Sequence, residues 1–472
     1  MTVTPTKESP PPTAPDQVEV LIKEARRRGR RHRLVVVLLV TAVLAATAVA
    51  AIVVGIGGRN PFTRSPITTE PLSTPLVPGS LNQIAFPSPG PSTFLSSISC
   101  ESGSRCFVVG SRQTVHTSYL IASRYQDRHW TPISAPLLPH SANPGSLSCP
   151  TTAFCMMAGY DWTSNPKGVT RALAQVFDGH SWRLLGVPVP SGSVSSRLSS
   201  LDCPDANWCI AMGASSNGYA NSVFSDLWNG KRWVLVGVPP ALAAGQQGPP
   251  ENGGISCVSR SWCLAVGAYA PAGDTTRMAS EIWNGRAWAQ IPVPPFSSSQ
   301  EIVHIGGRVV SSALSQSLSG VSCVSSSSCV ASGTFTEPAA TQAIGGPRLL
   351  HWAGRSWQSA ITPGIDNRLL HARLRGGFGA VSCVSSQRCV TLVTPFNDPF
   401  SSQPPAGTLQ SDADGWFAST KSVGTAEPTL QGVSCLNNGQ CLIVGWTFDP
   451  KPVPGFRDGR SYPLILIATP RS

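Results

Sequence analysis

Fourteen cysteines fall into seven pairs, and in every pair five residues separate the two. The pairs are Cys100 and Cys106, Cys149 and Cys155, Cys203 and Cys209, Cys257 and Cys263, Cys323 and Cys329, Cys383 and Cys389, and Cys435 and Cys441. The first cysteines of successive pairs lie 49, 54, 54, 66, 60 and 52 residues apart. The residues beyond each pair repeat too. In the fourth repeat they are an apolar run, Leu264-Ala265-Val266-Gly267, then an aromatic turn, Trp283-Asn284-Gly285-Arg286-Ala287-Trp288, then a proline-rich exit, Ile291-Pro292-Val293-Pro294. A period of this length in a turn-rich chain is the mark of a propeller with one repeat per blade. The expected fold is therefore an all-β, seven-bladed β-propeller.

Charged residues make up only 12% of the 472 residues, while Gly and Pro number 44 and 43, which favours short strands and tight turns over helices. Paired cysteines hold either disulfides or metal. Zinc knuckles use a gap of two to four residues, commonly with His nearby. Here the gap is always five and His is scarce, so one disulfide per repeat is expected, with no metal site and no cofactor. Disulfides need an oxidising compartment.

Each repeat reads as four strands, a to d. Strand a is short and ends on the first cysteine, as in Leu318-Ser319-Gly320-Val321-Ser322-Cys323, and strand b begins on the second. Strand c enters the aromatic turn and strand d leaves it. Asn229-Gly230, Asn284-Gly285 and Asp178-Gly179 predict two-residue hairpin turns at the c–d junction. Each disulfide closes an a–b hairpin, and a loop this small is worth about 2 kcal/mol by chain entropy. The last repeat stops at Ser472 without a strand d. The segment before the first cysteine, Leu81-Asn82-Gln83-Ile84-Ala85-Phe86-Pro87-Ser88-Pro89, resembles the strand-d exits. Residues 81–89 are therefore expected to complete the seventh blade, closing the ring and removing exposed sheet edges.

The pattern S-C-x5-C-x-x-x-G … W-N-G-x-x-W … P-x-P resembles a Cys-paired propeller repeat of secreted or anchored actinobacterial envelope proteins. It is distantly similar to the sialidase and kelch propeller superfamilies. The resemblance covers residues 81–472 and implies the fold rather than an activity. Blade six departs from it with Asp412-Ala413-Asp414-Gly415-Trp416, nearer to a sialidase Asp-box, which in that superfamily is a structural turn. The Arg triad, Tyr nucleophile and acidic partner of sialidases have no matching positions here.

Ahead of the repeats, residues 1–33 form a basic, Pro/Thr-rich tail expected to be disordered, ending in Arg26-Arg27-Arg28-Gly29-Arg30-Arg31-His32-Arg33. Residues 34–57 are uncharged and rich in Val, Leu and Ala. As a helix they would rise about 36 Å, enough to cross a bilayer of about 30 Å. Arginines on the cytoplasmic side would place the N-terminus inside and the repeats outside. A secreted protein cleaved after Ala48-Val49-Ala50 is the alternative. Residues 58–80 are a Pro/Ser/Thr-rich tether.

Of the net charge of +11, residues 1–33 carry +4 and the remaining +7 is spread thinly over the rest of the chain, with no basic face interleaved with aromatics, so nucleic acid is not an expected partner. Antiparallel order puts the a–b and c–d turns on one side of the ring and the b–c and d–a connections on the other. The second set varies from blade to blade, and variable loops on a rigid frame are where binding resides. Two d–a segments are long: residues 296–317, with Glu301, His304 and Arg308, and 364–379, with Asp366, Arg368, His371, Arg373 and Arg375. Together they would form a basic rim suited to an acidic glycan or protein surface. The repeated Trp182, Trp233, Trp288 and Trp357 fit a core between blades. Sugar stacking is left to off-pattern aromatics such as Tyr160, Trp162, Tyr219 and Tyr269. His116, His140, His180 and His351 share no metal-like spacing.

No nucleophile elbow, zincin motif or phosphate loop is present. The expected function is a membrane-anchored, extracytoplasmic, monomeric propeller that binds an envelope glycan or protein. The alternative is a glycan hydrolase or lyase at the channel mouth, with Asp161, Asp274, Glu337, Asp366 and Asp398 as the acidic residues of the variable loops. A sensor ectodomain is a third reading, although a tail of about 33 residues is too short to fold a signalling domain.

Overall fold

The computed structural model describes the strands and short turns between Ser80 and Thr469. Residues 1–79 and 470–472 lie outside the described residues. So do 163–168, 238–252, 270–275, 295–302, 338–343, 361–375, 396–406, 421–426, 450–459 and shorter pieces of other connections. The tail, the 34–57 segment and the tether fall in the first of these, and no helix among the described residues is long and apolar enough to cross a membrane. The propeller belongs to a compact unit spanning Thr69–Ser472.

The chain is a seven-bladed β-propeller with one disulfide in each blade. Its first strand, β1 (Leu81–Ile84), is set aside until the end of the chain. Blade one is β2 (Thr93–Glu101), β3 (Arg105–Gln113), β4 (Ser118–Gln126) and β5 (His129–Ile133). Blade two is β6 (Ser141–Thr151), β7 (Phe154–Trp162), β8 (Thr170–Phe177) and β9 (Trp182–Leu185). Blade three is β10 (Ser195–Asp205), β11 (Trp208–Ser216), β12 (Asn221–Trp228) and β13 (Trp233–Gly237). Blade four is β14 (Gly254–Ser259), β15 (Trp262–Tyr269), β16 (Arg277–Trp283) and β17 (Trp288–Gln290). A small hairpin, β18 (Val303–Ile305) and β19 (Arg308–Val310), comes after it. Blade five is β20 (Ser315–Ser325), β21 (Ser328–Glu337), β22 (Ile344–Trp352) and β23 (Trp357–Ser359). Blade six is β24 (Gly376–Ser385), β25 (Arg388–Pro395), β26 (Gly407–Asp412) and β27 (Gly415–Thr420).

Blade seven is β28 (Glu427–Cys435), β29 (Cys441–Asp449) and β30 (Arg460–Ala468), completed by β1 on its outer edge. Leu81 pairs with Ala468 and Ile84 with Ile465. The expected closing strand is thus present, shorter than the 81–89 segment. Leu81 packs into the apolar cluster between blades six and seven, and Ile84 into the cluster between blades seven and one. Seven such clusters lie between successive blades around the ring. The core of this fold is therefore between sheets, and it is complete only when the ring is closed.

Every disulfide joins strands a and b of one blade, and none links two blades. Cys100 is bonded to Cys106, Cys149 to Cys155, Cys203 to Cys209 and Cys257 to Cys263. Cys323 is bonded to Cys329, Cys383 to Cys389 and Cys435 to Cys441, which leaves no free thiol. The second cysteine of each pair is the deeper one. Cys106, Cys155, Cys209, Cys263, Cys329, Cys389 and Cys441 are all buried in the interior of their sheets. Each staple thus tethers the outer end of strand a to a fixed point on strand b.

Strand a is not short. In most blades it is nine to eleven residues long, and it runs past the first cysteine in all but the seventh. The reason lies at the axis, where the a strands of neighbouring blades pack side by side. The residue before each first cysteine accepts a hydrogen bond from the backbone N–H of the next blade's first cysteine. Ser99 accepts from Cys149 at 2.9 Å, Ser148 from Cys203 at 3.1 Å, and Asp202 from Cys257 at 2.7 Å. Ser256, Ser322 and Ser382 do the same for Cys323, Cys383 and Cys435, each at 3.0 Å. Two positions further upstream the residues are Ser97, Ser146, Ser200, Gly254, Gly320, Ala380 and Gly432, all small. A Cβ added to Gly254 would lie 2.9 Å from the Val321 nitrogen of the next blade. Close approach at the axis thus explains why a small residue and then Ser, or Asp202 in blade three, precede each first Cys.

The c–d turns correct the expectation of two-residue hairpins. Trp228 pairs with Trp233, leaving four residues between them. The Asn229 side chain accepts the N–H groups of Lys231 and Arg232, and the Asn229 N–H donates to the Arg232 carbonyl. Asn284 and Asp178 repeat this arrangement. Only the glycine of each Asn-Gly or Asp-Gly turn takes a positive φ, +86° at Gly230. The Asn is there for its acceptor oxygen rather than for left-handed backbone. Across each such turn two aromatics face each other, as Trp283 and Trp288 do at 5.6 Å. Trp182, Trp233, Trp288 and Trp357 are buried in the clusters between blades, as their recurrence implied.

Candidate functional site

Beyond the small-residue position, strand a carries a bulge. In blade one Leu95 and Ser97 oppose Gly110 and Val109, leaving Ser96 unpaired. Gly145, Ser199, Ser319 and Gln431 occupy the same place in blades two, three, five and seven. In blades one, two, three, five and seven the glycine that ends the apolar run of strand b makes room for this bulge. A Cβ on Gly110 would collide with the Phe94 carbonyl, on Gly159 with that of Asn143, on Gly333 with that of Ser317 and on Gly445 with that of Thr429. Bulges re-aim neighbouring side chains and are common beside functional sites.

The side chains re-aimed here come from three repeat positions: six residues before the first cysteine, and five and seven after the second. At the first they are Phe94, Asn143 and Arg197 in blades one to three. At the second they are Ser111, Tyr160, Ala214, Ala268, Thr334, Thr394 and Trp446 in ring order, small except in blades two and seven. Those two blades flank blade one. Tyr160 and Trp446 therefore stand as walls on either side of Ser111, over a pocket of about 420 Å³. The rest of its lining includes Phe94, Gln113, Asn143, Arg197 and the bulge residues Ser96, Gly145, Ser199 and Gln431. The pocket opens where strands a begin and strands b end. That is the side of the b–c and d–a connections, opposite the disulfides.

The walls are held in place. Phe94 meets Trp446 edge-on at 5.3 Å across the joint between blades one and seven. The Asn143 amide donates to the Tyr160 hydroxyl at 2.9 Å. Arg197 sits cross-strand from Ala214, whose methyl group leaves it room. Outward along the same strands the walls continue as exposed aromatics, Phe448 two residues beyond Trp446 and Trp162 two beyond Tyr160. The other exposed aromatics among the described residues, Tyr119 and Tyr462, lie at the same end of blades one and seven.

Of the residues expected at a site, Tyr160 lines the pocket, Trp162 extends its wall, and Tyr269 instead packs into the cluster between blades three and four. His304 and Arg308 fall in the β18–β19 hairpin, where His304 pairs with Val309 and Arg308 with Ile305. Arg368, His371, Arg373 and Arg375 lie outside the described residues, as do Tyr219, Asp274, Asp366 and Asp398. Asp161 pairs with Arg171 across β7 and β8, and Glu337 ends β21. Among the described residues no group of three His, Cys, Asp or Glu is placed to hold a metal ion. Arg197, Asn143, Gln113 and Trp446 were not foreseen. For Trp446 the signal is a large side chain at a position that is small in the other blades except blade two; the positions of Arg197, Asn143 and Gln113 vary around the ring and carry no such signal.

No protein-family model matches the chain, and no curated protein matches it. Solved structures resemble it weakly. A protein of unknown function from Dyadobacter fermentans is 14% identical, with 83% of this chain and 100% of that chain covered and a TM-score of 0.42. The β-propeller domain of the Trilobed protease from Pyrococcus furiosus is 9% identical, covering 79% and 95%, with a TM-score of 0.41. The polysaccharide lyase Uly1 is 10% identical, covering 79% and 89%, with a TM-score of 0.46. Likeness of this strength carries no information on ligand or chemistry.

Proposed function

We propose that this chain is a membrane-anchored, extracytoplasmic binding module that takes an envelope glycan into the pocket over blades seven, one, two and three. A disulfide in every blade marks an oxidising, extracytoplasmic environment. The anchor is the 34–57 segment. The observation that carries the binding reading is the pair of aromatic walls, Tyr160 and Trp446, at one repeat position on both sides of a small residue. Sugar rings offer C–H faces to aromatic side chains and hydroxyl edges to amides. Gln113, Asn143 and Gln431 supply both amide donors and acceptors there. We keep the basic set His304, Arg308, Arg368, His371, Arg373 and Arg375, read from the sequence as part of the long d–a segments, as a proposed second, electrostatic part of the surface. The test is a glycan array and envelope pull-down with the intact chain. Trp446→Ala and Tyr160→Ala should each abolish capture, and capture unchanged in both would end this reading.

A lyase is the second reading. The Asn143 amide on the Tyr160 hydroxyl, with Arg197 in the same pocket, resembles the set that elimination from a uronic acid requires. The Tyr160 phenolate oxygen would take the proton α to the carboxylate, the C–O bond at the β carbon would break, and the phenol so formed would return its proton to the departing glycosidic oxygen. Hydrolysis has no such support, because a glycosidase needs two carboxyl groups and the described lining holds none. Incubation with an oligogalacturonate, then a reading of ultraviolet absorbance from an unsaturated product, decides; a flat trace removes the lyase.

A further inference from the structure

We infer that the disulfide side of the ring is a docking surface for anionic lipid headgroups, those of the membrane that holds the anchor, so that the pocket opens away from that membrane. The inference rests on the anchor reading of residues 34–57 and adds an orientation to it. Leu81 pairs with Ala468, and Ala468 pairs with Cys441 of the last disulfide. The Thr469 N–H donates to the Ser80 carbonyl at 3.2 Å, one step further out. The 58–80 tether therefore enters the propeller on the disulfide side, which is the side the anchor brings to the bilayer.

Charge on that side is gathered into one arc. Blades three, four and five present six turns there, residues 203–209, 228–233, 257–263, 283–288, 323–329 and 352–357, each described in full. Arg260 pairs with Asp205 at 2.6 Å. Lys231, Arg232, Arg286 and Arg355 remain, all exposed, and the six turns contain no second acidic residue. The turn geometry does not ask for these cations. It uses the Asn acceptor and the positive φ of the glycine, and the residue after the glycine contributes only its N–H. Yet that residue is Lys231, Arg286 and Arg355 in three consecutive blades. Among the basic turns, Val258 and Val324 follow the first cysteines of blades four and five and are 41% and 36% exposed. Cations beside exposed aliphatic groups suit a lipid surface, where the charges meet headgroup phosphates and the valines leave water for the interfacial layer.

The test reconstitutes the intact chain into vesicles of phosphatidylcholine alone or of an equal mixture with phosphatidylglycerol. Flotation with the neutral vesicles reads the anchor, and hydroxyl-radical footprinting reads the face. Oxidation at Val258, Arg286 and Val324 should fall roughly threefold or more in the mixed vesicles relative to the neutral ones, and added salt should restore it. Oxidation at Trp162 and Phe448, on the pocket side, should stay the same. The triple variant Lys231→Glu, Arg286→Glu, Arg355→Glu should float as wild type does and lose the protection, with a thermal melt to show that it folds; the triple variant to Gln should lose part of it. Equal oxidation of the face in both vesicles, protection of Trp162 and Phe448 instead, or protection that survives charge reversal overturns the docking surface and leaves the anchor standing. Protection by soluble polyglutamate but not by the mixed vesicles assigns the face to an acidic polymer and overturns the lipid surface too. Failure to float with neutral vesicles while the mixed ones still protect the face overturns the anchor alone, and failure of both overturns both.

Discussion

The Ser434 hydroxyl of the last blade accepts a hydrogen bond from the Cys100 N–H of the first, at 3.0 Å. It is the seventh rung of the axial ring, and it joins residues from opposite ends of the propeller. Closure therefore has two locks: this rung at the inner edge, and the pairing of β1 with β30 at the outer edge. Ser434→Ala leaves the Cys100 N–H without its partner, and a buried donor so orphaned costs about 1–3 kcal/mol. Ser256→Ala breaks an equivalent rung between covalently consecutive blades. Both variants should lower the urea midpoint by similar amounts. A much larger loss in Ser434→Ala would show that the closing rung bears more than its neighbours do.

The outer lock should matter more. Leu81 and Ile84 are 5% and 7% exposed and point into different clusters, so β1 is buried on both faces. Leu81→Ala and Ile84→Ala should each cost about 2–5 kcal/mol. The double variant should leave β30 as an open edge prone to self-association. Size-exclusion chromatography reads the second effect and chemical denaturation the first. A monomeric double variant of wild-type stability would mean that β1 is dispensable.

The ring was legible because repetition averages out local ambiguity. Any one C-x5-C pair is weak evidence, but seven in register leave little else to build. Even the closing strand could be found, since Leu81 to Ile84 repeats a pattern whose place at the end of the last repeat is empty. The Asn-Gly turns were misjudged because the dipeptide is compatible with both a two-residue turn and a side-chain-capped four-residue one. The register Trp228 to Trp233 selects the second. The pocket was less legible for the opposite reason. Trp446 and Tyr160 meet only after the ring closes, and Arg197 reads as an ordinary strand residue until the bulge beside Ser199 brings it to the channel mouth.

The glycine opposite the blade-seven bulge gives a steric prediction. In Gly445→Ala the new methyl group would run into the Thr429 carbonyl, and the strand pair must shift or lose its bulge. Overpacking of this kind costs about 1–3 kcal/mol. The change should also weaken ligand capture, because Trp446 is the next residue along β29. Gly186→Ala, whose added Cβ meets nothing within 4 Å, is the control and should stay within about 0.5 kcal/mol of wild type. Thermal melts of the pair suffice; equal melting temperatures would remove the steric explanation of why this glycine recurs from blade to blade.

A pH prediction comes from the core of blade three. The Asp226 side chain is fully buried, neither carboxyl oxygen has a hydrogen-bond partner, and burial pushes its pKa up to about 7 from 3.8. Below pH about 4 both folded and unfolded chains carry it neutral, and no ionisation penalty arises. Between about 4 and 7 the unfolded chain ionises while the folded one keeps its proton, so stability falls as pH rises. Above 7 both are ionised and the penalty levels off, at about 4 kcal/mol for a shift of this size. Burial pushes Asp202 in the same direction, against the hydrogen bonds it accepts from Ser148, Cys203 and Cys257. The comparison that isolates Asp226 is therefore wild type against Asp226→Asn. The variant should be more stable at pH 8 by about 1–3 kcal/mol, the remainder being offset by an amide equally short of partners. It should match wild type at pH 4. Urea midpoints at the two pH values measure this, and parallel pH profiles for the two proteins would mean that Asp226 finds a partner or water when charged.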